Sequence, residues 1–176
     1  MSSPATAAQT VGPFFELGMS WAYSEDLVAP NTEGPIVVIR GCVFDGDQAP
    51  IPDAVLEFWQ ADAAGRFPQP SAADLFRGFG RIATNARGEF RVRTIKPGSV
   101  DGQAPHVCVQ VFMRGLLKAA HTRLYFADDP KNAVDPVLAV VPAARRNTLM
   151  ARPEADGTFR WNVHMQGEEE TVFFEF

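Results

Sequence analysis

The fold of this chain is decided by residues 81–112, which read RIATNARGEFRVRTIKPGSVDGQAPHVCVQVF. Glu89–Thr94 alternates apolar and charged residues, and the turn-forming Asn85–Gly88 separates it from Arg81–Thr84. Because a period of two is typical of a half-buried strand, this pattern predicts a β-hairpin. His106–Phe112 is rich in valine and predicts a further strand.

Other short strands are predicted on both sides of this stretch. Asp156-Gly157 is a strong hairpin signal, and the residues that follow it alternate with a period of two. Since short strands separated by Gly and Pro dominate and no long helix is indicated, the sequence predicts an all-β fold, a β-sandwich. The remaining predicted strands are Ile36–Phe44, Val55–Trp59, Leu124–Phe126 and residues 171–176, and short helical turns are predicted at Pro136–Val141 and Ala143–Arg146.

The chain is predicted to divide into an extended N-terminal arm, residues 1–35, and a single β-sandwich domain, residues 36–176. The arm shows little periodicity and contains many turn formers. It also carries Phe14, Phe15 and Trp21, whose large apolar side chains are unfavourable in water. We therefore expect the arm to dock on a surface, either of its own domain or of a partner chain.

Composition and charge exclude several classes of protein. The 176 residues and 46% hydrophobic content suit one globular domain with a real core. The net charge of −5 and the scattered basic residues argue against nucleic acid as a partner. Uncharged runs are too short to cross a membrane, and residues 1–15 lack the pattern of a signal peptide. Cys42 and Cys108 lie in apolar runs and are expected to be buried free thiols, which favours a cytoplasmic location.

Two motifs carry the chemical information in this chain. TIKPG is followed by Val100 and then by the pair His106 and Cys108, and WQADAAGR is followed directly by Phe67. Both motifs resemble the metal-binding segments of the intradiol ring-cleavage dioxygenases. The resemblance implies a ferric ion held by one tyrosine after each motif and by a His-x-His pair. In this chain the four positions carry Phe67, Val100, His106 and Cys108, so His106 alone remains.

Ferric iron would be held poorly by these residues. It is stabilised by anionic oxygen donors, whereas Phe and Val side chains have no lone pairs. Tyr23 and Tyr125 are the two tyrosines of the chain, and both lie outside the motifs. We therefore expect a metal-free pseudo-site in which His106 is a hydrogen-bonded core residue. One alternative is a self-sufficient dioxygenase with rearranged ligands, Tyr125, His106 and His164.

The resemblance covers the chain from Gln9 to the C-terminus and is closest to one branch of the family. It is to the alpha chains of heteromeric intradiol dioxygenases, and it implies no catalytic residue in this chain. It further implies a homologous beta subunit that binds Fe(3+), where O2 cleaves protocatechuate to 3-carboxy-cis,cis-muconate. A second alternative is a stand-alone β-sandwich binding module without a catalytic partner. The resemblance is carried by nine blocks in order: QTVGPFF, VLEFWQADAAGRF, FGRIAT, TIKPG, APHVCV, FMRG, HTRLYF, RRNTL and QGEEETVFFEF.

The resemblance also implies substrate contacts from this chain to a pocket on the beta subunit. In the arm these are Thr10, Gly12 and Pro13, where Gly12 would permit a close approach of the backbone. In the FMRG block the candidate is Arg114, whose guanidinium can pair with a carboxylate through two parallel bonds. Two other interpretations stay open, an arm that docks without touching substrate and an Arg114 that pairs with an acidic neighbour.

Overall fold

The computed structural model describes residues 20–68 and 76–175, together with Gly12 and Gly18. No helix within these residues is long and apolar enough to cross a membrane. Helical segments of the described residues include the 3-10 helices Ser20–Ala22, Pro130–Val134 and Ala143–Leu149 and the α-helix α1, Pro136–Val140. The strands of the described chain are β1 Ile36–Phe44, β2 Val55–Trp59, β3 Phe79–Ala83, β4 Glu89–Ile95, β5 His106–Phe112, β6 Ala120–Phe126, β7 Met150–Pro153, β8 Phe159–Arg160 and β9 Val163–His164.

The strands form two layers that are joined through β7. The hydrogen-bonded order is β3-β2-β5-β6-β7-β8-β1-β4, and β9 pairs with β1. We name β3, β2, β5 and β6 the first sheet and β8, β1, β4 and β9 the second sheet. Because β7 is parallel to β6 and antiparallel to β8, it passes from one layer to the other. The predicted β-sandwich is confirmed.

The core lies between the two sheets and follows the period-two pattern of the strands. On β1 and β5 every second residue is buried, so the residues between them face outward. Burial of a large apolar side chain stabilises the folded state by about 1.5–3 kcal/mol. The core includes Ile39, Leu56, Phe58, Val92, Val109, Leu124, Phe126 and Trp161.

The predicted hairpin between Arg81–Thr84 and Glu89–Thr94 is wrong, although its turn is present. The N–H of Asn85 donates to the carbonyl of Glu89 at 2.9 Å, as a turn requires. However, β3 pairs with β2 and β4 pairs with β1. The turn therefore passes the chain from the first sheet to the second, since turn residues specify a reversal of the chain and not its strand partner.

The C-terminal part of the chain matches the sequence prediction in two of three features. The predicted helical turns are confirmed as α1 and the 3-10 helix Ala143–Leu149. The hairpin at Asp156-Gly157 is also confirmed, because it joins the antiparallel β7 and β8 and Gly157 has a φ of 80°. A last strand over residues 171–176 is wrong for the described residues, which form only an isolated bridge between His121 and Phe174.

The described end of the arm packs against the domain of its own chain. The N–H of Leu27 donates to the carbonyl of Arg93 at 2.8 Å, and the N–H of Arg93 donates to the carbonyl of Glu25 at 2.6 Å. Asp26 also pairs with the guanidinium of Arg93 at 2.8 Å, and Leu27 is buried in the core. Trp21 remains 82% exposed, while Phe14 and Phe15 lie outside the described residues.

Candidate functional site

The two motif loops are held together by a buried amide. Gln60, the residue after Trp59 at the end of β2, is 1% exposed. Its amide nitrogen donates to the carbonyl of Ile95 at 2.9 Å, and its amide oxygen accepts from the Thr94 hydroxyl at 2.8 Å. The WQ of the first motif therefore binds the TI of the second, which satisfies polar groups that would be costly to bury unpaired.

Two glycines let the same loops touch backbone to backbone. A side chain at Gly98 would place its Cβ 2.5 Å from the carbonyl oxygen of Ala63, and a Cβ at Gly65 would collide with the carbonyl oxygen of Ser99. Gly65 also has a φ of 77°, in the left-handed region that favours glycine. The loops after β2 and β4 are thus fixed against each other, and they carry Phe67 and Val100.

The four positions implied as metal ligands lie on or beside the outer face of the first sheet. Phe67 stacks on Trp59 with ring centroids 5.8 Å apart and planes 8° apart. Val100 begins a turn in which its carbonyl accepts from the N–H of Gln103 at 2.8 Å. His106 and Cys108 share the outward face of β5, opposite to its buried valines.

His106 is a buried, hydrogen-bonded histidine, as the sequence predicts. Its side chain is 7% exposed, and Nδ1–H donates to the carbonyl of Ala104 at 2.8 Å. Burial lowers the pKa of His106 below its ordinary value of 6.5, because desolvation disfavours the charged form. The ring of Tyr125 on β6 lies beside it, with centroids 5.6 Å apart. Burial raises the pKa of this phenol to about 12, so it is neutral at physiological pH.

The carboxylate that is hydrogen-bonded to Tyr125 already has other hydrogen-bond partners. Asp135 is 1% exposed and caps α1 by accepting from the N–H groups of Val137 and Leu138 at 2.8 and 2.7 Å. It also accepts from the N–H of Ala104 at 2.7 Å and from the Tyr125 hydroxyl at 3.4 Å. Asp135 therefore fixes the start of β5 rather than offering a free oxygen donor.

Arg123 is the residue at this centre that sequence reasoning missed. It pairs with Cys108 across β5 and β6. Its Nη1 donates to the amide oxygen of Gln103 at 2.5 Å and to the Tyr125 hydroxyl at 3.4 Å. A permanent positive charge thus stands among the positions where the resemblance places metal ligands. The signal available was the strand period, which puts Arg123 on the outward face of β6.

These residues do not fit a ferric ion. Phe67 and Val100 offer no donor atoms, and burial raises the pKa of the Cys108 thiol, which favours its neutral form. Arg123 adds a like charge beside the same positions. Within residues 20–68 and 76–175, no three His, Cys, Asp or Glu side chains are close enough to hold a metal ion.

The rearranged set of Tyr125, His106 and His164 is not brought together at one site. His106 and Tyr125 are neighbours on β5 and β6 in the first sheet. His164 instead lies on β9, which pairs with β1, and stacks on Phe44 with ring centroids 5.0 Å apart. The structure therefore does not assemble the ligands of a self-sufficient dioxygenase from these three residues.

The candidate substrate contacts lie away from this centre or outside the described residues. Arg114 follows β5 and forms an ion pair with Asp53, and its side chain is 64% exposed. Gly12 is exposed, with no atom of this chain's described residues within 4 Å of a Cβ built on it. Thr10 and Pro13 are outside the described residues. Their roles in substrate binding stay predictions.

Comparison with known proteins gives the class of this protein. A family model described as "Dioxygenase" matches residues 12–167. The fold agrees, since the dioxygenase domain of a carbohydrate-binding fusion protein from Streptomyces sp. SirexAA-E superposes with a TM-score of 0.66 and 28% identity, over 92% of this chain and 96% of that one. The chain belongs to the intradiol dioxygenase family.

Two relatives that match this chain over nearly their full length are alpha chains. The chain is 45% identical to the protocatechuate 3,4-dioxygenase alpha chain of Burkholderia cepacia, over 97% of this chain and 96% of that one. It is 37% identical to the alpha chain of Pseudomonas putida, over 98% of this chain and 97% of that one. Identity to the beta chain of the Burkholderia enzyme is 32%, over 78% of this chain and 67% of that one.

Proposed function

We propose that this chain is the non-iron-binding alpha subunit of a protocatechuate 3,4-dioxygenase. It pairs with a homologous beta subunit that holds Fe(3+), and the complex cleaves protocatechuate with O2 to 3-carboxy-cis,cis-muconate. The metal supplies the activation of the substrate when it is bound by the partner. The two free thiols favour a cytoplasmic complex.

The observation that carries this proposal is an intact loop scaffold in which the two positions implied as tyrosine ligands carry no oxygen donor. Gln60 and Thr94 still join the two motif loops, yet the positions that follow hold Phe67 and Val100. A chain that has the loops but not the ligands can still contribute to the reaction, because it can contact a partner chain and shape the partner's pocket. The similarity to both chains of one Burkholderia enzyme supports a homologous partner.

Two parts of this chain are proposed to reach the pocket on the partner. Arg114 is exposed on a turn after β5, and its pairing with Asp53 is a surface ion pair, which is weak in water. Its guanidinium can therefore exchange Asp53 for the carboxylate of a substrate. Gly12, together with Thr10 and Pro13, would line the pocket with backbone groups, because glycine permits a close approach of the backbone to a ligand.

Co-expression with a beta chain tests the subunit assignment. Oxygen uptake that depends on protocatechuate should appear when both full chains are present. It should be absent with the alpha chain alone and in a buffer control. Full activity from the alpha chain alone would contradict the proposal. A monomeric chain that never associates with the beta chain would instead favour the stand-alone binding module.

Substitution Arg114→Ala tests the substrate contact in the assembled complex. If Arg114 pairs with the carboxylate, KM for protocatechuate should rise about tenfold or more, the effect of losing a charge-assisted hydrogen bond. Arg91→Ala is the matched control, because Arg91 is an exposed arginine on β4 of the second sheet. An unchanged KM would remove Arg114 from the pocket, while the subunit assignment would stand.

A further inference from the structure

The outer face of the first sheet carries a cavity that the proposed subunit role does not use. We call it the outer-face cavity, and its volume is about 410 Å³. It lies between β3 and β6, over the strands whose other face forms the core. Strand pairing aligns two rows of outward side chains across the four strands: Phe79, Trp59, Cys108 and Arg123, and then Arg81, Glu57, Gln110 and His121.

The charges around the outer-face cavity leave a positive excess. Glu57 lines it, but Arg81 donates to the Glu57 carboxylate through Nε at 2.7 Å and also through Nη2. Arg123 lines it as well, and its hydrogen bonds go to Gln103 and Tyr125. Both of these acceptors are neutral, since the pKa of Tyr125 is about 12. One arginine charge at the cavity is thus not matched by a bonded carboxylate.

The free edge of the Arg123 guanidinium has the geometry that carboxylates prefer. Both of its hydrogen bonds leave from Nη1. Nε is buried and has no acceptor among the described residues. In arginine, Nε–H and one Nη2–H point the same way and can donate two parallel hydrogen bonds to the two oxygens of one carboxylate. Arg123 lines the outer-face cavity, so a carboxylate bound there can reach its guanidinium.

The opposite side of the outer-face cavity offers aromatic walls. Trp59 and Phe79 are 38% and 40% exposed, although they are large apolar side chains. Their ring centroids are 6.3 Å apart and their planes are tilted by 55°. Ring-to-ring packing at such distances stabilises a contact by about 0.5–1.5 kcal/mol beyond area burial. Cys108 lies between the walls and Arg123, and its neutral thiol does not repel an anion.

We propose that the outer-face cavity is a second, non-catalytic binding site for a planar aromatic carboxylate. The carboxylate pairs with Arg123, and the ring packs against Trp59 and Phe79. The volume lies within the range of about 300–1,000 Å³ that small-molecule sites occupy. A ligand there is not turned over, because the neighbouring residues offer no donor set for ferric iron. The site is built from this chain alone, so it does not depend on the proposed subunit role.

Binding of benzoate as a probe tests this site on the full chain. Wild type should bind a fluorobenzoate saturably in a 19F NMR titration. Arg123→Gln should weaken binding about tenfold or more, the loss expected for a charge-assisted pair. Arg91→Gln, the same substitution on exposed β4, should leave affinity unchanged. Affinity that is the same for wild type and Arg123→Gln would overturn the proposal.

Two measurements on the unaltered protein test the site even if Arg123→Gln does not fold. Neutral benzamide has the same ring but no charge, so it should bind about tenfold or more weakly than benzoate. In crystals soaked with 4-iodobenzoate, the iodine should appear beside Trp59 and Phe79, with the carboxylate on Arg123. Equal affinity for benzamide, or iodine only at other places, would refute the site. Neither result involves iron or the beta chain, so they are independent of the subunit assignment.

Discussion

The two motif loops and the four positions that the resemblance implies as metal ligands differ in how well they are equipped. In the loops, Gln60 still binds Thr94, and Gly65 and Gly98 still allow backbone contact. At the centre, Phe67 packs on Trp59 by ring stacking instead of offering an oxygen donor. The motifs therefore indicate how two loops fold together, and they do not by themselves indicate a metal site, because the loops form with Phe67 and Val100 in place.

The largest effect is expected from a methyl group placed between the loops. Gly65→Ala combines a φ of 77° with a backbone collision at Ser99, so it should lower the free energy of unfolding by about 3 kcal/mol or more. Gly102→Ala is the matched control, because Gly102 has the same φ of 77° in open space. Its cost should be about 1 kcal/mol. Equal urea midpoints for the two variants would contradict the loop contact.

A smaller effect is expected from the buried amide. Gln60→Leu removes the partners of the Thr94 hydroxyl and the Ile95 carbonyl, and unpaired buried groups cost about 1–3 kcal/mol. Adding Thr94→Val removes one of these groups, so the double variant should lose less stability than the sum of the single variants. Urea unfolding of the four proteins measures this coupling. Additive losses would mean that the two side chains do not interact.

The smallest effect is expected in the pH dependence of stability that is due to His106. Burial lowers the pKa of His106, so below its unfolded value of about 6.5 the unfolded state binds more protons. The stability gained by burying uncharged His106 is present above its unfolded pKa and is lost as pH falls through its folded pKa. Wild type should therefore lose more stability between pH 7 and pH 5 than His106→Gln in urea unfolding. Parallel losses would show that the pKa of His106 is not lowered in the folded protein.

Much of the fold could be predicted because strand patterns are local. The bounds of Ile36–Phe44, Val55–Trp59 and His106–Phe112 agree with β1, β2 and β5, since β-branched runs and a period of two need no knowledge of the rest of the chain. The strand partner of Glu89–Thr94 could not be predicted from such a local pattern. A turn reports a reversal of direction, and here the reversal leads into the other sheet.

The candidate site was predicted in part. Phe67 and Val100 could be singled out because the resemblance implies where a tyrosine should follow each motif. Arg123 was not, because a charged residue on an alternating strand usually faces solvent, and only the pairing with Cys108 shows where it stands. For Arg114 the sequence left two interpretations open, and the structure shows its ion pair with Asp53, which does not decide between them.

The distribution of iron between the two subunits shows whether this chain leaves metal binding to its partner. A co-expressed complex would be separated into its chains under mild conditions, and metal would be measured in each chain alongside visible absorption. If this chain is the non-iron-binding subunit, stoichiometric iron and the tyrosinate-to-iron absorption band should stay with the beta chain. Stoichiometric iron with the same band in the chain described here would contradict it.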